Sequence, residues 1–265
     1  MEKILNEKSV ISPKAVVSPK AVIGPGVKIG HFSIIEEGVT LCPNVEIHNN
    51  AIIHIGTTLG KGVRVFHSAV VGSEPHDLKF KGEVTTAEVG ENTVIREFCT
   101  ISRGTAARGK TVIGSNCYLM AYVHVPHDSL IGNNVIMANA INMGGHVVIG
   151  DWAIIGGLVG IHQFVHIGAH SFIAFSSRVT QDVPPYILAG GYPLNYKGLN
   201  LVGLKRRGFS DEQLRHIKQA YNFIYGSTHN ISDAIKAVKD SVPMTEEVKN
   251  IITFIEQSER GIIRK

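Results

Sequence analysis

Residues 11–41 read ISPKAVVSPKAVIGPGVKIGHFSIIEEGVTL, with an aliphatic residue at every sixth position. The series begins at Ile11 and extends, in the same phase, to Val179. The position four residues after each member is small or β-branched almost throughout, as at Ala15 and Ala21. A period of six differs both from a helix face, which repeats every 3.6 residues, and from simple strand alternation. It predicts a short strand and a turn repeated many times, stacked so that neighbouring units bury a continuous core.

Two polar stretches interrupt the series, which fails at Asp77, Glu83 and Ala107. The repeat resumes in phase after each stretch. We therefore interpret residues 74–88 and 103–112 as inserted loops that leave the repetitive body and return to it. Loops on a rigid scaffold are where binding groups collect, so substrate contacts are expected here.

The pattern changes after the repeat, where Pro184 and Pro185 are expected to end the coils. Residues 189–204 are rich in Gly, Asn and Tyr, and we predict irregular structure for them. Helical spacing follows. The sequence therefore predicts a repetitive domain over residues 1–188 and a C-terminal α-helical domain over residues 189–265.

Three helices are predicted in the second domain. Ser210 and Gln213 have capping-box spacing ahead of an apolar helical stripe that ends at Gly226. Ser232 is predicted to cap a second helix, and Thr245 a third.

Composition narrows the class of protein. The 265 residues include 28 glycines and carry a net charge of +4. This mild charge favours neither a nucleic-acid coat protein nor a membrane-surface binder, while an anionic substrate or an acidic partner would suit it. Residues 1–8 lack the apolar core of a signal peptide, and the longest apolar run, residues 153–161, is too short to span a bilayer. We expect a cytoplasmic protein without an integral membrane segment.

The cysteines offer no metal-binding spacing. Cys42, Cys99 and Cys117 form neither a CxxC pair nor a zinc pattern. Cys99 and Cys117 fall on the small-residue position of the repeat, so we interpret them as buried reduced thiols and predict no metal site.

The six-residue repeat resembles the left-handed parallel β-helix of the hexapeptide-repeat acyltransferases, in which three repeats form one triangular coil. Handedness and coil geometry come from this resemblance, since parallel crossovers are normally right-handed. It implies roughly 8 to 9 coils, each rising about 4.8 Å, with a flat face suited to self-association.

Five histidines fall within 43 residues, where no insertion interrupts the repeat: His124, His127, His146, His162 and His166. Each residue here should therefore stack on the residue three repeats later, in the next coil. Gly145 is predicted to lie over His127, with Gln163 one coil further, and His146 over Asp128. One corner of the prism thus gathers these side chains within about 10 Å.

This cluster suits acid–base chemistry. An imidazole is the usual general base at neutral pH, and a neighbouring carboxylate can orient it. A glycine one coil away leaves its N–H open to a developing oxyanion. A single histidine on such a corner is more often only a solvated side chain, but several in one band beside Asp128 favour a functional site.

Several segments closely resemble the UDP-N-acetylglucosamine O-acyltransferases, which catalyse the first step of lipid A synthesis. The resemblance spans nearly the whole chain. The matching segments are DLK (77–79), YLMAYVHVPHD (118–128), GH (145–146), IHQF (161–164), QDVPPY (181–186) and GLKRRGF (203–209).

This resemblance implies transfer of a (3R)-3-hydroxyacyl chain from acyl carrier protein to the 3-hydroxyl of UDP-N-acetylglucosamine, without a cofactor. The enzyme would be a homotrimer with sites between subunits. His127 would be the base, Asp128 would steer it, and the N–H of Gly145 would hold the thioester oxyanion. The nucleotide sugar or acyl chain would contact Asp77, Lys79, His124, His146, His162, Gln163, Asn200, Arg206 and Arg207. Arg206 and Arg207 also suit a diphosphate or the acidic carrier protein.

The sequence departs from the family pattern in two places. Val202 stands where an acidic residue often meets the nucleoside, which puts that contact in doubt. Phe175 stands where long-chain members have glycine at the far end of the acyl groove. A ring there should stop the chain early, so we predict an acyl group shorter than fourteen carbons.

The sequence is also compatible with other functions. The acceptor could be a 3-amino analogue of the sugar, which would yield an amide. A zinc enzyme of the carbonic-anhydrase kind would use three histidines from two subunits on the same helix. A non-catalytic scaffold would not depend on His127. An N-acyltransferase of the same pathway normally carries an extra amino-terminal domain, for which a repeat beginning at Ile11 leaves no room.

Overall fold

The computed structural model describes residues 9–226 and 230–265. Short strands follow one another at each six-residue repeat and form three sheets, each parallel along the repeat.

The first sheet contains, in spatial order, β1 (Val10–Ile11), β4 (Lys28–Ile29), β7 (Glu46–Ile47), β10 (Arg64–Val65), β13 (Val94–Ile95), β16 (Tyr118–Leu119), β19 (Ile136–Met137), β22 (Ile154–Ile155), β25 (Phe172–Ile173), β27 (Ile187–Gly190) and β28 (Asn195–Leu199). The second contains β2 (Val16–Val17), β5 (Ile34–Ile35), β8 (Ile52–Ile53), β11 (Val70–Ser73), β14 (Thr100–Ser102), β17 (His124–Val125), β20 (Asn142–Met143), β23 (Gly160–Ile161) and β26 (Arg178–Val179). The third contains β3 (Val22–Ile23), β6 (Thr40–Leu41), β9 (Thr57–Leu59), β12 (Thr86–Val89), β15 (Lys110–Ile113), β18 (Leu130–Ile131), β21 (Val148–Ile149) and β24 (His166–Ile167).

These sheets are the three sides of a parallel β-helix whose interior holds the aliphatic series. Ile35, Ile53 and Leu119 are each at most 1% exposed, and the small position between them, as at Ala51, is equally buried. Each repeat thus contributes one large and one small side chain to a single core, as the period predicted. Burial of this apolar surface is what stabilises such short strands.

The strand register explains why the sequence pattern kept its phase. Within the coils from Ile113 to Val179, paired residues are three repeats apart, as in the pair of Ile113 with Ile131. Leu59 instead pairs with Val89, which is five repeats later, and Val89 pairs with Ile113, four repeats later. The first loop therefore adds the length of two repeats and the second the length of one. Because both insertions are whole multiples of the period, the repeat resumes on the same face.

The corners share a left-handed backbone conformation. One residue at each turn has φ near +60°, including Asn134, Trp152 and Phe164. Asp128 and His146 hold this position in successive coils, with φ of 59° and 63°. Their side chains are therefore presented at the same corner, one above the other.

The segment after the coils is more regular than predicted. β27 adds a further strand parallel to β25, and β28 pairs with β27 antiparallel. A short helix, α1 (Leu201–Arg206), follows at once. The prediction of irregular structure for residues 189–204 was wrong because pairing between distant segments, which has no local signal, forms these strands. The boundary placed after residue 188 falls within β27.

Three longer helices complete the described chain: α2 (Asp211–Gly226), α3 (Ile231–Ser241) and α4 (Glu246–Glu256). The capping box of α2 is confirmed, since Ser210 N–H donates to Gln213 Oε1 (2.9 Å) and Gln213 N–H donates to Ser210 Oγ (3.2 Å). None of the described helices is long and apolar enough to cross a membrane.

The other two cap predictions had different outcomes. Thr245 is the N-cap of α4, as predicted. For α3 the prediction was wrong: Asn230 is the cap, and its Oδ1 accepts from Asp233 N–H (2.9 Å). Asparagine is at least as good a cap as serine, and it comes shortly before Ser232 in the chain.

Cys99 and Cys117 are buried free thiols, as predicted, whereas Cys42 is half-buried. Burial raises the pKa of Cys99 to about 12, so this thiol is unreactive.

Candidate active site

The predicted histidine cluster lies at the corner between the second and third sheets. His146 N–H donates to the carbonyl of His127 (3.1 Å), and Phe164 N–H donates to the carbonyl of Gly145 (3.1 Å). These bonds join three successive coils at one corner. The stacking deduced from a coil of three repeats is therefore confirmed, and we call this the histidine corner.

His127 and Asp128 form a hydrogen-bonded pair. The distance from His127 Nδ1 to Asp128 Oδ2 is 2.8 Å, and the carboxylate is 0% exposed. An ionised carboxylate only accepts hydrogen bonds, so Nδ1 carries the proton and a neutral ring has its lone pair on Nε2. The imidazole is thus oriented as a base.

A threonine of the second loop holds the carboxylate. Thr105 donates its N–H to Asp128 Oδ1 (3.0 Å) and its hydroxyl to Oδ2 (2.6 Å). Burial, the largest single influence, raises the pKa of Asp128, but hydrogen bonds from Thr105 and His127 outweigh it and place the pKa below its usual value. Thr105 was not among the residues predicted from the sequence, where its place in the second interruption was the one signal for it.

Gly145 leaves room for the imidazole. A Cβ built on Gly145 would lie 2.6 Å from His127 Cε1 and 2.7 Å from Nε2. In the part of the chain that the structure describes, the N–H of Gly145 makes no hydrogen bond. The glycine therefore combines space for the base with a free donor beside it.

His146 packs around the same pair. Its ring meets that of His127 edge-on, with centroids 5.2 Å apart, and stacks on Phe164 at 4.5 Å. Its Nε2 is 3.7 Å from Asp128 Oδ2. Burial mainly lowers the pKa of His146, and Asp128 opposes this effect only in part. The ring is therefore neutral near pH 7 and can donate or accept one hydrogen bond.

His124 connects the corner to the first loop. Its Nδ1 lies 2.7 Å from the hydroxyl of Thr100, and its ring stacks on His76 at 5.6 Å. The pKa of His124 is lowered by burial first, then by His76 and His127. His76 was not predicted from the sequence, although it directly precedes the predicted Asp77 in the first loop.

The remaining predicted contacts near this corner are more exposed. Asp77 accepts a hydrogen bond from Lys79 N–H (3.0 Å). Its charge slightly opposes the lowering of the His146 pKa by burial. Lys79 and Gln163 are exposed. His162 is exposed as well, and its Nδ1 lies 3.1 Å from the carbonyl of Gln163.

A second group of predicted residues lies at the corner between the third and first sheets. Asn200 caps α1, accepting from Gly203 N–H (3.2 Å), and its Nδ2 donates to the carbonyl of His170 (2.9 Å). Arg206 is exposed, while Arg207 is half-buried against Trp152. One chain therefore does not bring these residues to the histidine corner.

Phe175 stands near the corner between the first and second sheets and is 67% exposed. Its ring lies against Gly157, whose added Cβ would be 3.4 Å from Phe175 Cδ2. The predicted acyl-length residue is thus on a different edge from the base.

Potential metal ligands also converge at the histidine corner. Ligand-type atoms of His127, Asp128 and His146 lie within 4.8 Å of one another. Asp128 Oδ2 already accepts hydrogen bonds from His127 and from the Thr105 hydroxyl. This arrangement matches a base and its orienting carboxylate better than the three-histidine zinc site considered from the sequence.

The coil and the site together define a hexapeptide-repeat transferase. A family model described as bacterial transferase hexapeptide (six repeats) matches residues 20–54 and 110–139. A second model, described as UDP-N-acetylglucosamine O-acyltransferase, domain 2, matches residues 182–263.

Relatives that match most of the chain make the family specific. An acyl-[acyl-carrier-protein]–UDP-N-acetylglucosamine O-acyltransferase from Thiobacillus denitrificans is 44% identical over 195 residues, which are 73% of this chain and 76% of the relative. The solved UDP-N-acetylglucosamine acyltransferase from Bacteroides fragilis is 48% identical and has a TM-score of 0.94, covering 96% of this chain and 99% of its own. The Acinetobacter baumannii LpxA structure is 38% identical, with a TM-score of 0.93 and coverage of 96% and 100%.

The chain belongs to the UDP-N-acetylglucosamine O-acyltransferase family, as the resemblance predicted, and is an acyltransferase. Its fold is the predicted left-handed parallel β-helix with C-terminal helices. These relatives favour the acyltransferase over the carbonic-anhydrase-like and scaffold alternatives.

Proposed function

We propose that the chain transfers a (3R)-3-hydroxyacyl group from acyl carrier protein to the 3-hydroxyl of UDP-N-acetylglucosamine in the cytoplasm, as the first step of lipid A biosynthesis. The names of its relatives identify acyl carrier protein and UDP-N-acetylglucosamine as their substrates. The observation that carries the mechanism is the 2.8 Å contact between His127 Nδ1 and Asp128 Oδ2, with Gly145 against the same ring.

In this mechanism His127 Nε2 removes the proton from the sugar 3-hydroxyl as that oxygen attacks the thioester carbonyl. Asp128 stabilises the imidazolium through Nδ1–H. The Gly145 N–H donates to the oxyanion of the tetrahedral intermediate. When the carbon–sulfur bond breaks, His127 returns the proton to the leaving thiolate. Ester formation from a thioester needs no redox or metal cofactor, and the carrier protein serves as a co-substrate.

The acceptor contacts support sites shared between subunits, and we propose that the assembly is a homotrimer. Asp77, His124 and His146 lie at the histidine corner, whereas Asn200, Arg206 and Arg207 lie at another corner of the same chain. A site that uses both groups requires two subunits. The nucleotide sugar would then lie between the histidine corner of one subunit and, on its neighbour, the corner between the third and first sheets that carries Asn200, Arg206 and Arg207.

For the acyl group we propose a chain shorter than fourteen carbons. The exposed ring of Phe175 lies over Gly157. A glycine at position 175 would leave this space open, whereas the ring fills it with a rigid apolar group. A methylene chain that reached this ring would have to stop or displace it.

Product analysis with a series of carrier thioesters tests the proposal. The purified chain is incubated with carrier thioesters of graded length and with either UDP-N-acetylglucosamine or its 3-amino analogue, and the product is identified by mass. We expect an ester of the ordinary sugar, lost in His127→Ala. Transfer only to the amino analogue would assign an N-acyltransferase, and no transfer to either acceptor would overturn the proposal.

A further inference from the structure

An aromatic ladder runs along the corner between the third and first sheets. Trp152 stacks on His170 with centroids 6.3 Å apart and planes 11° apart, and His170 stacks on Tyr186 at 5.6 Å and 22°. Phe209 closes the side, meeting His170 edge-on at 5.1 Å. These four rings, which we call the aromatic ladder, come from two coils, the segment after them and the turn between α1 and α2.

The ladder also fixes the start of α1. Asn200 donates its backbone N–H to the carbonyl of Tyr186 (2.9 Å) and its Nδ2 to the carbonyl of His170 (2.9 Å). The same side chain caps the helix through Gly203 N–H. Anchoring of this short helix fixes its direction. It also fixes where the backbone of Arg206 and Arg207 lies at the end of the helix.

Arg207, the C-cap of this helix, carries a charge that no carboxylate of the described residues neutralises. Its guanidinium carbon lies 5.2 Å from the centroid of the Trp152 ring. Its Nη1 is buried without a hydrogen-bond partner, and no carboxylate lies within 4.0 Å of the guanidinium, among residues 9–226 and 230–265. The π face of Trp152 is thus the group that stabilises the cation.

Burial lowers the pKa of the Arg207 guanidinium below its usual value, although it remains charged. Burial and Arg207 together lower the pKa of His170 to about 4, so this ring is uncharged near pH 7 and does not repel the arginine. An anion at this corner would supply the missing counter-charge, and Arg206, exposed on the same turn, adds a second cation.

We propose that Trp152 is a positioning residue: its ring holds the Arg207 guanidinium in the orientation that binds the diphosphate of the nucleotide sugar. This inference rests on the proposed function, in which Arg207 contacts that substrate. Trp152 would act only through Arg207. Its loss should therefore weaken nucleotide-sugar binding and leave the proton transfer at His127 unaffected.

The test compares Trp152→Leu with Trp152→Phe in the full-length enzyme. We expect Trp152→Leu, which removes the π face, to raise KM for UDP-N-acetylglucosamine and Kd for UDP by about fivefold, as loss of one partly desolvated cation–π contact would do. The value of kcat and the KM for the carrier thioester should stay within about twofold of wild type. Trp152→Phe should recover most of the affinity, because it keeps a ring.

Phe32→Leu is the matched control. Like Trp152, Phe32 is a corner residue with a left-handed backbone (φ 59°), and the Nζ of Lys14 lies 5.5 Å from the centroid of its ring. Phe32 lies near the opposite end of the β-helix. Its KM values should equal those of wild type. If the melting curve shows that Trp152→Leu does not fold, Trp152→Met takes its place. Methionine also removes the aromatic ring, and its flexible side chain fills the space more easily.

Arg207→Ala and the double variant complete a mutant cycle. If Trp152 acts through Arg207, the double variant binds UDP no more weakly than Arg207→Ala alone. Additive losses, or unchanged UDP binding by Trp152→Leu while Arg207→Ala weakens it, would overturn the positioning role and leave the proposed function intact. Unchanged binding by Arg207→Ala would remove Arg207 from the proposed substrate site, and the inference would fail with it.

Discussion

Gly145 lies directly against the imidazole of His127, so that an added Cβ would come within 2.6 Å of Cε1 and 2.7 Å of Nε2. No real Cβ approaches a ring atom so closely, and Gly145→Ala must therefore rotate or displace the base. We expect kcat to fall by at least about a hundredfold, the usual effect of losing an aligned general base, while the fold persists. Steady-state kinetics and circular dichroism measure the two quantities.

Gly160→Ala is the control for this glycine. Gly160 lies on the second sheet, and a Cβ there would meet nothing within 4 Å. Its activity should match wild type. Equal kcat for Gly145→Ala and wild type would show that the close approach does not constrain the base.

Thr105→Val should lower kcat with a smaller change in KM. The variant loses the 2.6 Å hydroxyl bond to Asp128 but keeps the shape of the side chain. Hydrogen bonds to a charged group contribute about 1.5–3 kcal/mol, so a loss of about tenfold or more is expected as His127 becomes less well oriented. Thr105→Ser should restore most of the rate. A rate unchanged in Thr105→Val would remove the second loop from catalysis.

His170 predicts a pH dependence of stability. Its pKa is lowered to about 4 in the folded chain by burial and by Arg207. Because the unfolded chain then binds more protons between about pH 6.5 and pH 4, the free energy of unfolding should fall as the pH falls through this window. The free energy of unfolding is measured with urea at several pH values. When it is plotted against pH between about pH 4 and pH 6.5, His170→Phe should give a shallower slope than wild type. Identical slopes would contradict this assignment.

Phe175→Gly should lengthen the preferred acyl chain. Removing the ring opens the surface over Gly157, which carries no side chain of its own. With thioesters of graded length, the maximum of kcat/KM should move toward longer chains, whereas Phe175→Leu should shift it less. An unchanged preference would mean that another residue sets the length.

Ser210→Ala should destabilise the helical domain by about 1 kcal/mol, because it removes the side-chain cap of α2. Ser232→Ala provides the comparison. Ser232 is exposed within α3, where Asn230 provides the cap, so its loss should change the free energy of unfolding by less than about 0.5 kcal/mol. Equal effects in chemical unfolding would contradict the capping assignments.

The six-residue period predicted the repetitive coil and, together with the three-repeat coil that the family resemblance implied, most of the histidine corner. In a solenoid each unit contacts the one before and after it, so a period read along the chain is also a map of neighbours in space. That is why a step of three repeats placed Gly145 over His127 and His146 over Asp128, and why the capping box of α2 was recognisable from a short local motif.

Contacts that lie off this period depend on the packing of the folded chain. Thr105 and His76 reach the corner from loops whose paths no repeat specifies, and β28 exists because it pairs with β27. The structure also assigned Arg207 to the aromatic ladder, at a different corner from His127. Such contacts join residues far apart in sequence without a regular spacing, so they follow from how the folded segments pack and not from any local pattern.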